Sequence, residues 1–125
     1  MGDKKVFINV SNHKHESWSK EQIEMASLYG EVIDLPFPAV NPSASIEEIK
    51  TLAYNYFEKI KEYDNPVVMI QGEYTFTYKL VSLCLQNNIK AVSACTERVV
   101  TERICEDGTT EKNSVFKFVQ FREYT

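Results

Sequence analysis

Val67-Val68-Met69-Ile70-Gln71-Gly72-Glu73-Tyr74-Thr75-Phe76 is the stretch that decides the fold. Four apolar, strand-forming residues run into a polar turn that contains a glycine. Beyond it Phe76, Leu80, Leu83 and Cys84 recur at helical spacing, starting near Thr75 and stopping at Asn87-Asn88. Another β-like run, Ala91-Val92-Ser93-Ala94-Cys95, follows at once. Strand, helix and strand joined by short links form the unit of a parallel sheet, with a right-handed crossover.

The same alternation extends upstream. Val6-Phe7-Ile8-Asn9-Val10 reads as a buried first strand, ended by Ser11-Asn12-His13. A helix start follows: Ser19 as N-cap, Gln22 as its capping-box partner, Trp18 and Ile23 as the staple, and Gly30 after the last turn. Val32-Ile33-Asp34-Leu35 is the second strand, stopped by Pro36 and Pro38. Ser45 with Glu48 opens a second capped helix, whose Ile46, Ile49, Leu52, Ala53, Tyr56, Phe57 and Ile60 give it one apolar face to about Glu62. Downstream, the fourth strand is expected to close at Thr96-Glu97-Arg98. A hairpin over about 99–122 then turns at Asp107-Gly108. The order β-α-β-α-β-α-β-β-β predicts an α/β, Rossmann-like domain: a mostly parallel sheet between helices, with a C-terminal antiparallel hairpin.

At 125 residues, 43% hydrophobic and 26% charged, residues 1–125 suit a single domain with its own core. A formal charge of −4 argues against a general duplex-DNA binder, which takes its affinity from a basic surplus. It leaves room for a small anion held by backbone N–H groups and one Arg. Cys84, Cys95 and Cys105 are odd in number and widely spaced, so no disulfide framework is implied; Cys84 and Cys95 read as small core residues. No apolar run reaches the ~20 residues of a membrane helix, and Met1-Gly2-Asp3-Lys4-Lys5-Val6 has no signal-peptide core. A cytoplasmic protein with no membrane partner is expected.

Ligands of open α/β sheets bind beyond the carboxyl ends of the parallel strands. That rule gathers Ser11, Asn12 and His13 from the first strand end, and Gln71, Gly72, Glu73 and Thr75 from the third. Thr96 and Arg98 come from the fourth. The chain's two histidines, His13 and His15, stand at i and i+2 with no Cys or carboxylate at a ligand spacing, so no metal is expected. His13 is an imidazole suited to proton transfer at neutral pH, or simply a polar residue of the loop. Gly72 permits close backbone approach at a helix N-terminus, where Glu73 either acts on a ligand or complements the helix dipole. Arg98 can clamp a phosphate or pair with Glu97 or Glu73. Phe37, Tyr74 and Phe76 are placed to stack on a base. No GxGxxG and no P-loop lysine is present, so no dinucleotide or triphosphate cofactor is signalled.

The opening strand running into Ser11-Asn12-His13, with the Gly72-Glu73 turn before a helix, resembles the small CARF-like proteins encoded beside type III CRISPR systems. Several of these antiviral-defence proteins are ring nucleases, which bind and degrade cyclic oligoadenylate. The resemblance implies a homodimer around a two-fold symmetric ligand, and attack of a ribose 2′-hydroxyl on its own phosphodiester without a metal. The family's strand-end Ser-Asn-His is matched by Ser11, Asn12 and His13; for the chemistry the sequence offers His13 as acid or base, Ser11 and Asn12 as phosphate donors, Arg98 as an electrostatic clamp, and Glu73 to orient a ribose or His13. Two other functions fit the residues: a sensor or sponge that holds the same ligand without turnover, and an interaction module working through the hairpin. The tail Val115-Phe116-Lys117-Phe118-Val119-Gln120-Phe121 is apolar on both faces, and part of it is expected to be covered in a dimer.

Overall fold

The computed structural model describes residues 5–125; the reading of Met1–Lys4 lies outside them. Its strands are β1 (Val6–Val10), β2 (Glu31–Asp34), β3 (Val67–Ile70), β4 (Lys90–Ile104) and β5 (Thr110–Glu123). The helices are α1 (Lys20–Ser27), α2 (Ile46–Ile60) and α3 (Tyr74–Gln86), with a 3-10 turn at His15–Ser17. They form a five-stranded sheet in the order β2-β1-β3-β4-β5, parallel except for the antiparallel β4–β5 pair. This is the mostly parallel α/β fold with a C-terminal hairpin that the alternation predicts. No described helix is long and apolar enough to cross a membrane.

The sheet buries both faces, which is why its inner strands carry apolar residues without alternation. Val6, Ile8, Val10, Val68, Ile70 and Ala91 pack against α2 and α3 through Ala53, Phe57, Phe76 and Leu80. Phe7, Met69 and Val92 face the other way, toward Ala26 of α1 and the aromatics Trp18, Tyr29, Phe118 and Phe121. Local chemistry sets the helix starts. Ser19 Oγ accepts from Gln22 N at 3.2 Å, and Ser45 Oγ accepts from Glu48 N at 3.1 Å. Asn88, in the left-handed region with φ 58°, follows the end of α3. Gly30 is needed before β2 because a Cβ there would collide with the carbonyl of Lys5.

Two expectations change. β4 does not end at Cys95: it runs unbroken from Lys90 to Ile104, so the chain has one long strand where two were expected. Thr96-Glu97-Arg98 contains no glycine, proline or asparagine to stop a strand. Polar residues are compatible with a ribbon wetted on both faces. Only Lys90–Val92 pairs with β3. The rest of β4 pairs with β5 alone, out to Ile104 opposite Thr110.

The second change concerns the aromatic tail. The β4–β5 register shifts at Cys95/Thr96, where Cys95 opposes Gln120 and Thr96 opposes Phe118, leaving Val119 as the extra residue of a bulge. Phe118 and Phe121, three apart, therefore both turn into the core, with ring centroids 4.8 Å apart and Phe121 4.9 Å from Phe7. Val115, Phe116 and Val119 are left exposed.

Candidate functional site

The carboxyl ends of β1 and β3, with Ala94 and Thr96 midway along β4, open into a cleft of about 600 Å³ on the α1 side of the sheet. In the sheet order β2 and β3 flank β1, so the chain reverses its direction across the sheet between β1 and β3, the switch point where open α/β sheets hold ligands. Six of the residues expected from the strand ends line it: Ser11, Asn12, His13, Gln71, Gly72 and Thr96. Trp18, Gln22, Met69, Phe116 and Phe118 complete a wall the sequence did not single out for this role.

The β1 loop is tightly held. Asn9, only 2% exposed, donates through Nδ2 to the His13 carbonyl and to Asp34 Oδ1, both at 2.8 Å. Its Oδ1 accepts from Ser11 Oγ at 2.7 Å, and Ser11 Oγ in turn accepts from His13 N at 3.3 Å. The Ser11 hydroxyl proton is thus committed within the loop, to Asn9 Oδ1 or to the His13 carbonyl 3.1 Å away, and Ser11 shapes the loop rather than standing ready to donate to a ligand. Asp34 also takes the His15 backbone N–H on Oδ1 at 3.1 Å, and its Oδ2 lies 2.7 Å from His15 Nδ1. Desolvation raises the Asp34 carboxyl, but the bonds from Asn9 and from the backbone and ring of His15 outweigh it. The carboxyl sits below its ordinary value and stays ionised at neutral pH.

The third strand end divides by role. Gln71 Oε1 accepts from Ala94 N, tying β3 to β4. Gly72 lies against the Phe37 ring, where any Cβ would collide, so the close approach it permits is made by Phe37. Phe37 meets Phe76 edge-on at 5.1 Å, and Phe76 is fully buried, which removes it as a stacking platform. Glu73 is the N-cap of α3, accepting from Phe76 N at 2.8 Å and from Thr75 Oγ1 at 2.7 Å. The bond from Phe76 N, then that from Thr75, holds its carboxyl below the usual range. Neither Glu73 nor Thr75 lines the cleft.

Arg98 is also outside it. Because β4 continues, Arg98 lies on the ribbon, where Nε and Nη2 reach Ser114 Oγ at 3.1 and 3.0 Å. Cys84 is a buried core residue, its thiol pushed up to about 12 by desolvation, whereas Cys95 is half-buried rather than core. Among the described residues, no group of three or more His, Cys, Asp or Glu is placed to hold a metal.

The Asp34–His15–Asn9 cluster is what sequence reading missed. Its signal was there: a lone Asn inside an apolar strand, and an Asp ending the neighbouring strand. Asn9 and Asp34 are register partners across β1 and β2.

A family model, described as the uncharacterized protein MJ1673 family, matches residues 5–122. The chain belongs to the MJ1673 family. The matched stretch holds every residue that lines the cleft. Uncharacterized protein MJ1673 of Methanocaldococcus jannaschii is 33% identical over 76 residues, covering 56% of this chain. The match takes in 58% of that relative's own length.

Proposed function

We propose that this MJ1673-family protein binds a cyclic oligoadenylate in the cleft at its strand ends and cleaves it by attack of a ribose 2′-hydroxyl on the adjacent phosphodiester. The observation that carries the reading is the cleft itself. Its volume of about 600 Å³ lies in the range of small-molecule sites, and it stands where such sheets hold nucleotides. Its walls offer what a nucleotide needs: Trp18 and Phe116 as stacking surface over an apolar floor of buried Phe118 and Met69, and Gln71, Asn12 and Thr96 as polar groups. His13 supplies a proton-transfer group on the same wall. The reaction needs in-line positioning and charge stabilisation, with no obligatory metal. A homodimer would bring two such clefts to one symmetric ligand.

A second reading, a sensor or sponge without turnover, is favoured by one observation. Arg98 and Glu73, the two charged groups expected to assist the chemistry, both lie outside the cleft. Incubation with labelled cyclic tetra- and hexa-adenylate, chromatographed over time, separates the readings. Linear products support cleavage, and retention of intact ring supports the sponge. No interaction with either ring would contradict both.

A further inference from the structure

Gln71 has its side-chain amide oriented by the backbone. β3 pairs with β4 only as far as Met69 opposite Val92, and two residues further on Gln71 comes level with Ala94. There Gln71 Oε1 accepts the Ala94 N–H, standing in for the next carbonyl of the ladder. A backbone N–H can only donate, so a flipped amide would set NH2 against it and leave both unpaired. Nε2 is therefore held as a donor. By strand alternation Gln71 shares the α1 side of the sheet with Met69, and it lines the cleft there. Its Nε2 has no partner among the described residues and is not one of the buried polar atoms, so it is open to a ligand.

The composition of the walls selects the part of a nucleotide that fits. Among the described residues no Lys, Arg, Asp or Glu lines the cleft, so a phosphate in it would meet no fixed cation, while a neutral base loses nothing. Trp18 and the exposed Phe116 offer rings for a base to stack on. Resting on the nucleotide reading above, we propose that this cleft holds an adenine base and that Gln71 reads it. Nε2 donates to adenine N7, and the second lone pair of Oε1 accepts from the adenine 6-amino group. The phosphates then lie outside the cleft.

A glutamine matches this acceptor–donor pair on adenine. Guanine and hypoxanthine carry O6 where adenine has its amino group, so an acceptor would face Oε1. A mobile amide could turn over to meet O6, but Gln71 cannot do so without losing the Ala94 bond. The pinned amide makes Gln71 a specificity-determining residue.

Rings of 2′-deoxynucleotides lack the attacking hydroxyl, so affinity can be measured without turnover. Calorimetry should show the cyclic tetra-inosinate ring bound roughly 5–150-fold more weakly than the tetra-adenylate ring, the range of one bidentate base contact. Gln71→Ala should weaken the adenylate ring and bring the two level. Because that variant also removes the Ala94 bond, Gln71→Glu is its companion. One carboxylate oxygen keeps the Ala94 bond, leaving that amide protected from exchange, and the other sets an acceptor against N7. Adenylate binding by Gln71→Glu should fall by roughly tenfold or more. Wild-type protein that binds both rings equally, a Gln71→Ala variant that keeps the preference, or a Gln71→Glu variant with wild-type affinity would overturn the assignment. Binding of neither ring refutes the cyclic-ligand reading, and adenosine and inosine 5′-monophosphates then decide the base assignment alone. A shift of the Gln71 side-chain NH2 signals with the adenine nucleotide only supports it, and any other pattern overturns it.

Discussion

Asn9 uses both N–H groups and its carbonyl oxygen at a site 2% exposed to solvent, and each partner belongs to the loop or strand that shapes the cleft. Replacing it takes one partner each from the Ser11 hydroxyl, the His13 carbonyl and Asp34 Oδ1, leaving the Ser11–His13 contact at 3.1 Å and the bond from His15 N at 3.1 Å to hold the loop. Asn9→Ala should cost about 1–3 kcal/mol in urea unfolding, and more if no water takes its place. Asp34 adds a pH dependence of definite sign. Its folded pKa is depressed below the ordinary aspartate value of ~3.9, so its contribution to stability is present above that value. It is lost as pH falls through the folded pKa. Below about pH 4 the wild type should therefore lose part of its advantage over Asp34→Asn, measured as the difference between their unfolding free energies. The three thiols should also separate. Cys84, buried and raised to about 12, should resist a neutral-pH thiol reagent while the fold holds, and the half-buried Cys95 and Cys105 should react first.

At the level of elements, the second and third strands and all three helices are legible because punctuation and capping agree with hydrophobic period. Ser19, Ser45, Asn88 and the prolines after β2 each do locally what the fold requires. β4 and β5 were less legible for a physical reason. Strand ends are read from polarity, but a two-stranded ribbon exposed on both faces is polar throughout, so Thr96-Glu97-Arg98 looked like a boundary. The three-residue spacing of Phe118 and Phe121 fits no strand period until the bulge at Val119 is known, and a bulge leaves no mark that period alone detects. Arg98 belongs to the ribbon for the same reason: β4 continues past it, and a strand end expected at Thr96-Glu97-Arg98 would place it at the cleft. The consequence is testable on stability. Phe121→Ala, inside the aromatic cluster with Phe7 and Phe118, should cost about 3–5 kcal/mol. Phe116→Ala should leave stability nearly unchanged, because that ring is 73% exposed at the cleft mouth.

For the whole molecule, topology made the site legible before any side-chain geometry: the strand-end rule gathered six cleft residues from three separate stretches. It did not yield the role of each, because a helix cap such as Glu73 and a ligand contact are written with the same residue types. The ribbon bears on assembly. Its exposed Val100, Ile104, Val115, Phe116 and Val119 sit on a two-stranded extension, a structure marginal in water when nothing covers it. We expect light scattering to give a dimer at micromolar concentration, and Val115→Glu to shift it toward monomer; a stable wild-type monomer would remove the two-fold ligand arrangement. Cleavage, if it follows the proposed chemistry, should persist in EDTA, and complete loss restored by zinc would contradict it.

If the proposed ligand occupies the strand-end cleft, amide chemical-shift mapping with cyclic tetra-adenylate should show it. Perturbations are expected to concentrate at Ser11–Trp18, Gln71–Gly72, Ala94–Thr96 and Phe116–Phe118. Shifts confined to the ribbon tip between Val99 and Val115, or no shifts at saturating ligand, would contradict it.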